Sequence, residues 1–343
     1  MTELNTTQEE AAARLLELIQ IRLISAAIHV AAALGVADLL ADAPKTIKQL
    51  AEATGVSATS LRRVMQALAR FSVFSQDSAG RFTLAPMGEL LKRDVAGSLH
   101  PAALFFGGEV GASTARLFLE CVKTGESAPR MLSGASWIEW MQIDPERTKL
   151  FNAVMTAFSN LHFTGVLEAY DFSGATKIVD VGGGHGKIIC EILKRNPGMS
   201  GILFDMPHAF EGGQRAVALA GLVDRCEIVS GDFFVSVPAD ADVYLLSRVI
   251  HDWDDEKAVA ILKVVRQAIA RHGRLVLLEN MLKPTEGALY PVLSDLNMLI
   301  VTGGCERTEA EYRAIYRSAG FQLTQTVLTK SPTGTAVIEG KPM

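Results

Sequence analysis

Cysteine is scarce in this chain: four residues in 343, at positions 121, 190, 226 and 305, with no CxxC pair and no paired histidines beside them. That spacing excludes a disulfide framework and a zinc site, and it fits reduced, buried thiols in a cytoplasmic protein. No extended run of Lys or Arg occurs, and the formal net charge is −5. A phosphate backbone is met by concentrated positive charge, so nucleic acid is excluded as the main partner. The first residues are acidic and polar, unlike the basic start and apolar stretch of a secretory leader. One apolar stretch, residues 23–40 (LISAAIHVAAALGVADLL), raises the question of a membrane. His29, Gly35 and Asp38 interrupt it and no basic anchors flank it, so a buried helix is expected and a membrane span is not.

What is present is ordinary globular material, 49% apolar and 21% charged, in a chain longer than one typical domain. Residues 9–40 carry apolar positions at helical spacing, among them Leu15, Leu16, Ile19, Leu23, Ile24 and Ile28. A stretch this apolar on nearly every side predicts burial against more than one surface, and a homodimer built through it. Ile47–Ala53, a break at Thr54-Gly55, an N-cap at Ser57 and a helix through Arg70 come next. Phe71–Phe74 and Arg81–Leu84 flank a turn at Asp77–Gly80 as a short hairpin, which completes the outline of a winged helix. Its second helix offers only Arg62, Arg63 and Arg70 to a duplex, so a structural or dimerisation role outweighs a ligand-sensing DNA regulator.

Residues 86–170 are helical in pattern and rich in aromatics, and supply core together with one wall of a hydrophobic pocket. Phe106, Met155, Phe158 and His162 are placed in that wall, with Asp252, Asn297 and Met298 added from the later part of the chain. From residue 177 the pattern changes to alternating strands and helices, the signature of a parallel sheet covered on both faces. Strands are expected at 177–181, 200–205, 226–230, 243–247 and 274–279, with an antiparallel edge pair near 321–328 and 334–339. The fold class is therefore α/β: a Rossmann-like domain over 173–343, a helical connector over 101–172 and a winged-helix-like dimerisation domain over 1–100.

The most informative segment is Val179-Asp180-Val181-Gly182-Gly183-Gly184-His185-Gly186, where a strand gives way to a glycine-rich turn and a helix. A dinucleotide fingerprint, G-x-G-x-x-G/A, would need a small residue at 187, where Lys187 stands. The glycines fall instead at 182, 184 and 186, a G-x-G-x-G form that resembles the first motif of class I methyltransferases. Those enzymes bind S-adenosylmethionine, so Asp180 is expected near the cofactor's ammonium and the loop N–H groups near its carboxylate. Asp205 and Met206, one βα unit later, stand where a carboxylate accepts ribose hydroxyls. Gly231, Asp232 and Phe233 follow the next strand, with Asp232 able to accept from the adenine amino group and Phe233 offering a ring face.

The fourth strand leads into Ser247-Arg248-Val249-Ile250-His251-Asp252-Trp253-Asp254-Asp255. DVGGGHG, FDMPH, GDFF, SRVIHDWDDE, LLEN and GGCERTEAEY occur in the order and spacing of the small-molecule O-methyltransferases. That family includes plant phenylpropanoid and isoflavone enzymes and bacterial enzymes of antibiotic and pigment pathways, and the resemblance runs over nearly the whole chain. It implies that His251 is the general base, flanked by Glu279 and Glu306, and that the substrate is a small aromatic or polycyclic molecule. It implies S-adenosylmethionine as cofactor, leaving as S-adenosylhomocysteine, and no metal. Ser247 departs from the lysine usual in plant members; Arg248 matches the bacterial form and is assigned with Ser247 to the cofactor site. Asp252, Asp254 and Asp255 are read as the negative N-terminal turn of a helix. Relatives that methylate nitrogen or carbon, or use the bound cofactor for hydroxylation or decarboxylation, remain as alternatives.

Overall fold

The computed structural model describes residues 6–283 and 288–343. They form two compact units, Met1–Arg116 with Met141–Ala157, and Leu117–Trp140 with Phe158–Met343. The connector expected over 101–172 is thus shared between them, and the helix Pro145–Phe163 itself divides at residue 157.

In the first unit the local chemistry sets the elements. Thr46 and Gln49 form a reciprocal capping box at the start of helix Ile47–Thr54, and Gly55 ends it in the left-handed conformation. Ser57 caps helix Ala58–Arg70, whose Leu61, Met65 and Leu68 recur at helical spacing and are buried. Strands β1 (Phe74–Gln76) and β2 (Phe82–Leu84) pair antiparallel as the hairpin of the expected wing. Arg62, Arg63 and Arg70 face solvent.

The second unit carries a seven-stranded sheet of order β5-β4-β3-β6-β7-β9-β8. Its strands are β3 (Lys177–Val181), β4 (Ser200–Asp205), β5 (Cys226–Ser230), β6 (Val243–Ser247), β7 (Arg274–Asn280), β8 (Phe321–Leu328) and β9 (Thr335–Pro342). The first five run parallel, while β9 is antiparallel to both β7 and β8. Near-continuous apolar runs such as Ile178-Val179 and Tyr244-Leu245-Leu246 bury the central strands on both faces, as parallel sheets require. The strand order reverses between β3 and β6, which opens a crevice beyond their carboxyl ends.

One expectation is not met within a single chain. Residues 10–40 were expected to be mostly buried, yet every residue from 7 to 20 is exposed. Leu15, Leu16, Ile19 and Leu23 each leave more than half their surface in water, at 58%, 57%, 61% and 55%. Helices Thr6–Gln20 and Arg22–Ala33 meet at Ile21, and Thr7–Ala33 together is long and apolar enough by length and composition to cross a membrane. A second copy of the chain is the expected cover for this apolar face. Leu16→Glu combined with Ile19→Glu should convert a two-chain species into a single-chain one in light scattering at micromolar concentration. A wild-type protein that is already monomeric there would overturn the expectation.

Candidate active site

Five loops from the parallel strands meet at the crevice. The glycine-rich turn follows β3, Asp205 closes β4, Gly231 to Phe233 follow β5, His251 sits in a 3₁₀ turn after β6, and Glu279 lies near the end of β7. Gly182, Gly184 and Gly186 all have positive φ, at 70°, 56° and 74°. A Cβ at Gly182 would come within 2.8 Å of Val249, so the turn passes directly against the His251 loop. A Cβ at Gly184 would meet nothing within 4 Å.

The His251 loop is built around buried charge. Arg248 adopts φ 56°, a left-handed conformation costing a non-glycine residue about 1 kcal/mol. Its guanidinium donates to both oxygens of Glu306, at 2.7 and 3.0 Å, to Ser294 at 3.2 Å and to Glu279 at 3.4 Å. Glu306 also accepts from Ser294 at 2.6 Å, and the Asn280 amide oxygen accepts from the Arg248 guanidinium at 3.2 Å while its nitrogen donates to the Thr333 carbonyl at 3.2 Å. Glu279 is completely buried, and its other oxygen accepts from the backbone N–H groups of Val249 and Ile250. One glutamate therefore holds the loop's backbone, while the other lies alongside the imidazole: His251 Nδ1 is 3.5 Å from Glu306 and makes no hydrogen bond. His251 Nε2 lies 3.1 Å from the carbonyl oxygen of Arg248 and 3.6 Å from Asp252.

These contacts decide protonation. Burial favours neutral His251 and Arg248 opposes its charge, but Asp252, Glu306 and Glu279 outweigh both and raise its pKa. Burial pushes Glu306 toward neutrality, and Arg248 and His251 overcome it and hold the carboxyl well below the usual range. Burial prevails at Glu279, whose pKa is raised despite His251 and Arg248. His251, Glu279 and Glu306 bring donor atoms within 4.8 Å of one another, but the guanidinium of Arg248 already lies among the same carboxylates.

The family model of the O-methyltransferase domain matches residues 120–322, and that of the O-methyltransferase dimerisation domain matches residues 16–94. The chain belongs to the O-methyltransferase family. It is 38% identical to the phenazine O-methyltransferase of Lysobacter antibioticus, over 96% of each chain. It is 30% identical to the phenazine-1-carboxylate N-methyltransferase of Pseudomonas aeruginosa, over 94% of this chain and 96% of that one. The structure of the neocarzinostatin-biosynthesis O-methyltransferase, solved with S-adenosylmethionine and 2-hydroxy-5-methyl naphthoic acid, covers 93% of this chain and 96% of its own at 30% identity and a TM-score of 0.77. S-adenosylmethionine is the cofactor of this methyltransferase, and its dimerisation domain supports a homodimer.

The loops of the methyltransferase fit that cofactor. Gly184 leaves open space above the turn, and Asp205, partly exposed, aims one oxygen at the Gly184 N–H (2.7 Å) and the other at the Met206 N–H (2.6 Å). Met206 is exposed beside it, and Asp232 tightens its own loop by accepting from the Phe234 N–H at 2.8 Å. Phe233 packs toward Gly182 and Trp253, and Gly231 and Ser247 stand at the ends of β5 and β6. Asp180 is placed differently from the expected ammonium partner. It lies beneath the turn, with no exposed surface and no hydrogen bond to either oxygen, and burial together with Asp205 pushes its pKa to about 7.

The expected pocket wall is split. Phe158 and His162 pack edge to face in the second unit, where Tyr290 joins both rings. Tyr290, Ser294, Asn297 and Met298 recur along one face of helix Leu289–Val301, and Ser294 ties that face to Glu306. Phe106 and Met155 belong to the first unit, where Phe106 lines an apolar groove with Ile21, Ile24, Ile28 and Ala103. Asp252 precedes the helix it was assigned to: Asp254 is the N-cap, and Asp252 faces His251.

Sequence reading missed Ser294, Asn280 and Arg307. Arg307, 1% exposed, donates to the carbonyls of Ile250 and Trp253 and to Asp255, and so braces the histidine loop from behind. Its position directly after Glu306 was the available signal. In the cofactor loops, Gly184→Val should fill the open space at a left-handed position, and Asp205→Ala should remove the carboxylate beside the turn. Each should weaken S-adenosylmethionine binding at least tenfold by calorimetry with the fold retained, and unchanged affinity in both would refute this placement.

Proposed function

We propose that this methyltransferase acts on a hydroxyl of a small aromatic or polycyclic metabolite, with His251 as the general base. The observation that carries the reading is the buried imidazole after β6, with Glu306 beside it and its pKa raised. A phenol and an ordinary imidazole differ by about 3.5 pK units, so complete proton transfer before reaction would cost roughly 5 kcal/mol. The raised pKa of His251 narrows that gap, and Glu306 stabilises the imidazolium formed. Bound S-adenosylmethionine supplies an activated methyl group. Glycines 182, 184 and 186 with Asp205, Met206, Asp232 and Phe233 would hold it, and Phe158, His162, Asn297 and Met298 would hold the acceptor.

The hydroxylated naphthoic acid bound to one neighbour supports an aromatic acceptor. The dimerisation domain and the exposed apolar helix Thr6–Gln20 support a homodimer. The four free cysteines support action in the reducing cytoplasm. The related N-methyltransferase favours a second reading, in which the acceptor is a ring nitrogen that has no proton to lose.

His251→Ala distinguishes them. Turnover of a phenolic substrate should fall about 100-fold or more, the usual contribution of a positioned base, with cofactor affinity unchanged. The wild-type rate should fall on the acid side as His251 takes up a proton, at a pH above the ordinary imidazole value of about 6.5, because its pKa is raised. That limb should be absent from His251→Ala. Near-full methylation of an unactivated phenol by the variant would remove the base assignment, whereas a wild-type enzyme that methylates a ring nitrogen but no phenol, at a rate unchanged in His251→Ala, would put the nitrogen reading in its place.

A further inference from the structure

We propose that Arg248 is a positioning residue: its guanidinium neutralises Glu279 and Glu306 so that His251 can lose its proton in the working pH range. This builds on the reading of His251 as the base. The sequence placed Arg248 at the cofactor, but its side chain is committed elsewhere. Both terminal nitrogens meet Glu306, one also meets Glu279, and the other meets Ser294.

The groups around the His251 ring are unevenly matched. Asp252 adjoins Nε2 at 3.6 Å, Glu306 adjoins Nδ1 at 3.5 Å, and the Arg248 carbonyl lies 3.1 Å from Nε2. All of these accept, and Glu279 behind the loop adds a further carboxylate, so the immediate surroundings favour the imidazolium. Three positive or potentially positive groups oppose it; of these Arg307 lies behind the loop, committed to the carbonyls of Ile250 and Trp253 and to Asp255. His162 is buried and kept neutral, its Nδ1 bonded to Thr333, and so supplies little. Arg248 carries a full charge. Tyr290 and Tyr312 near the cluster are held neutral by burial, as is the Cys305 thiol, while Asp295 accepts from the Glu306 N–H at 2.9 Å and adds a further carboxylate. Without the guanidinium, two buried carboxylates would face the histidine uncompensated, and it would keep its proton through neutral pH and fail as a base. The left-handed turn at residue 248 lets one residue place its carbonyl against the ring while its side chain reaches both glutamates.

The test compares wild type with Arg248→Met, Arg248→Lys and the double variant Arg248→Met/Glu306→Gln, which restores the net charge of the cluster. Three quantities are read: the His251 titration by NMR, assigned by its loss in His251→Asn; the acid limb of the pH–rate profile; and S-adenosylmethionine affinity by calorimetry. In Arg248→Met the titration and the limb should rise together by about one pH unit or more. Turnover at neutral pH should then fall at least tenfold and recover toward alkaline pH, with affinity unchanged. Arg248→Lys should titrate near wild type, and the double variant should return toward it. An unmoved titration in Arg248→Met overturns the proposal, as does cofactor affinity that falls in step with turnover. Should Arg248→Met not fold, the double variant decides: a titration near the wild-type value supports the proposal, and one displaced by a unit overturns it. The NMR titration does not depend on methyl transfer, so it decides the role of Arg248 even if His251→Ala shows that His251 is not the base.

Discussion

Two carboxylates that water cannot reach govern the architecture around this site. Glu279 and Glu306 are 0% and 3% exposed, and an ionised carboxylate removed from water costs several kcal/mol unless donors replace the lost hydration. Those donors come from far apart in the sequence: the guanidinium of Arg248, the backbone of Val249 and Ile250, and Ser294. Satisfying the charges therefore brings the loop after β6, the end of β7, helix Leu289–Val301 and the segment around Glu306 together in one hydrogen-bonded cluster. Removing a single partner from such a cluster typically destabilises by about 3–5 kcal/mol, because the remaining charge is left alone. Packing and proton chemistry are the same problem here.

The parts of the fold that repeat a simple period were legible in the sequence. Short apolar runs separated by amphipathic helices announced the parallel sheet, and Ser57 caps its helix where the sequence placed an N-cap. The glycines at 182, 184 and 186 were legible because backbone with positive φ leaves few other choices. What escaped depended on neighbours distant in sequence. Arg248 looked like a cofactor residue because nothing local shows that its chain turns left-handed and that residues 279, 294 and 306 lie within its reach. Asp180 ends a strand just before the loop, as a ligand would, yet tertiary packing seals it below. Apolar periodicity in residues 7–20 reported a surface to be covered, and one chain does not cover it.

His251 and His162 show how burial alone does not set a histidine's state. Both are nearly inaccessible and belong to the same unit, but their pKa values move in opposite directions. His162 is surrounded by the hydroxyls of Thr333 and Thr335 and by aromatic rings, which offer hydrogen bonds without charge. His251 has carboxylates on several sides. The fold thus keeps one imidazole neutral as a fixed dipole and leaves the other able to carry a proton.

Strand β9 lies between β7 and β8, so a segment that follows both in the chain occupies an interior place in the sheet. Thr335, its first residue, is also where the hydroxyl network around His162 approaches Asn280. On the ribosome, β3 through β7 emerge first, with the backbone edge of β7 open to whatever strand it meets. That edge stays open until β9 has followed, which makes the late pairing of β9 part of how the cluster around His251 is assembled.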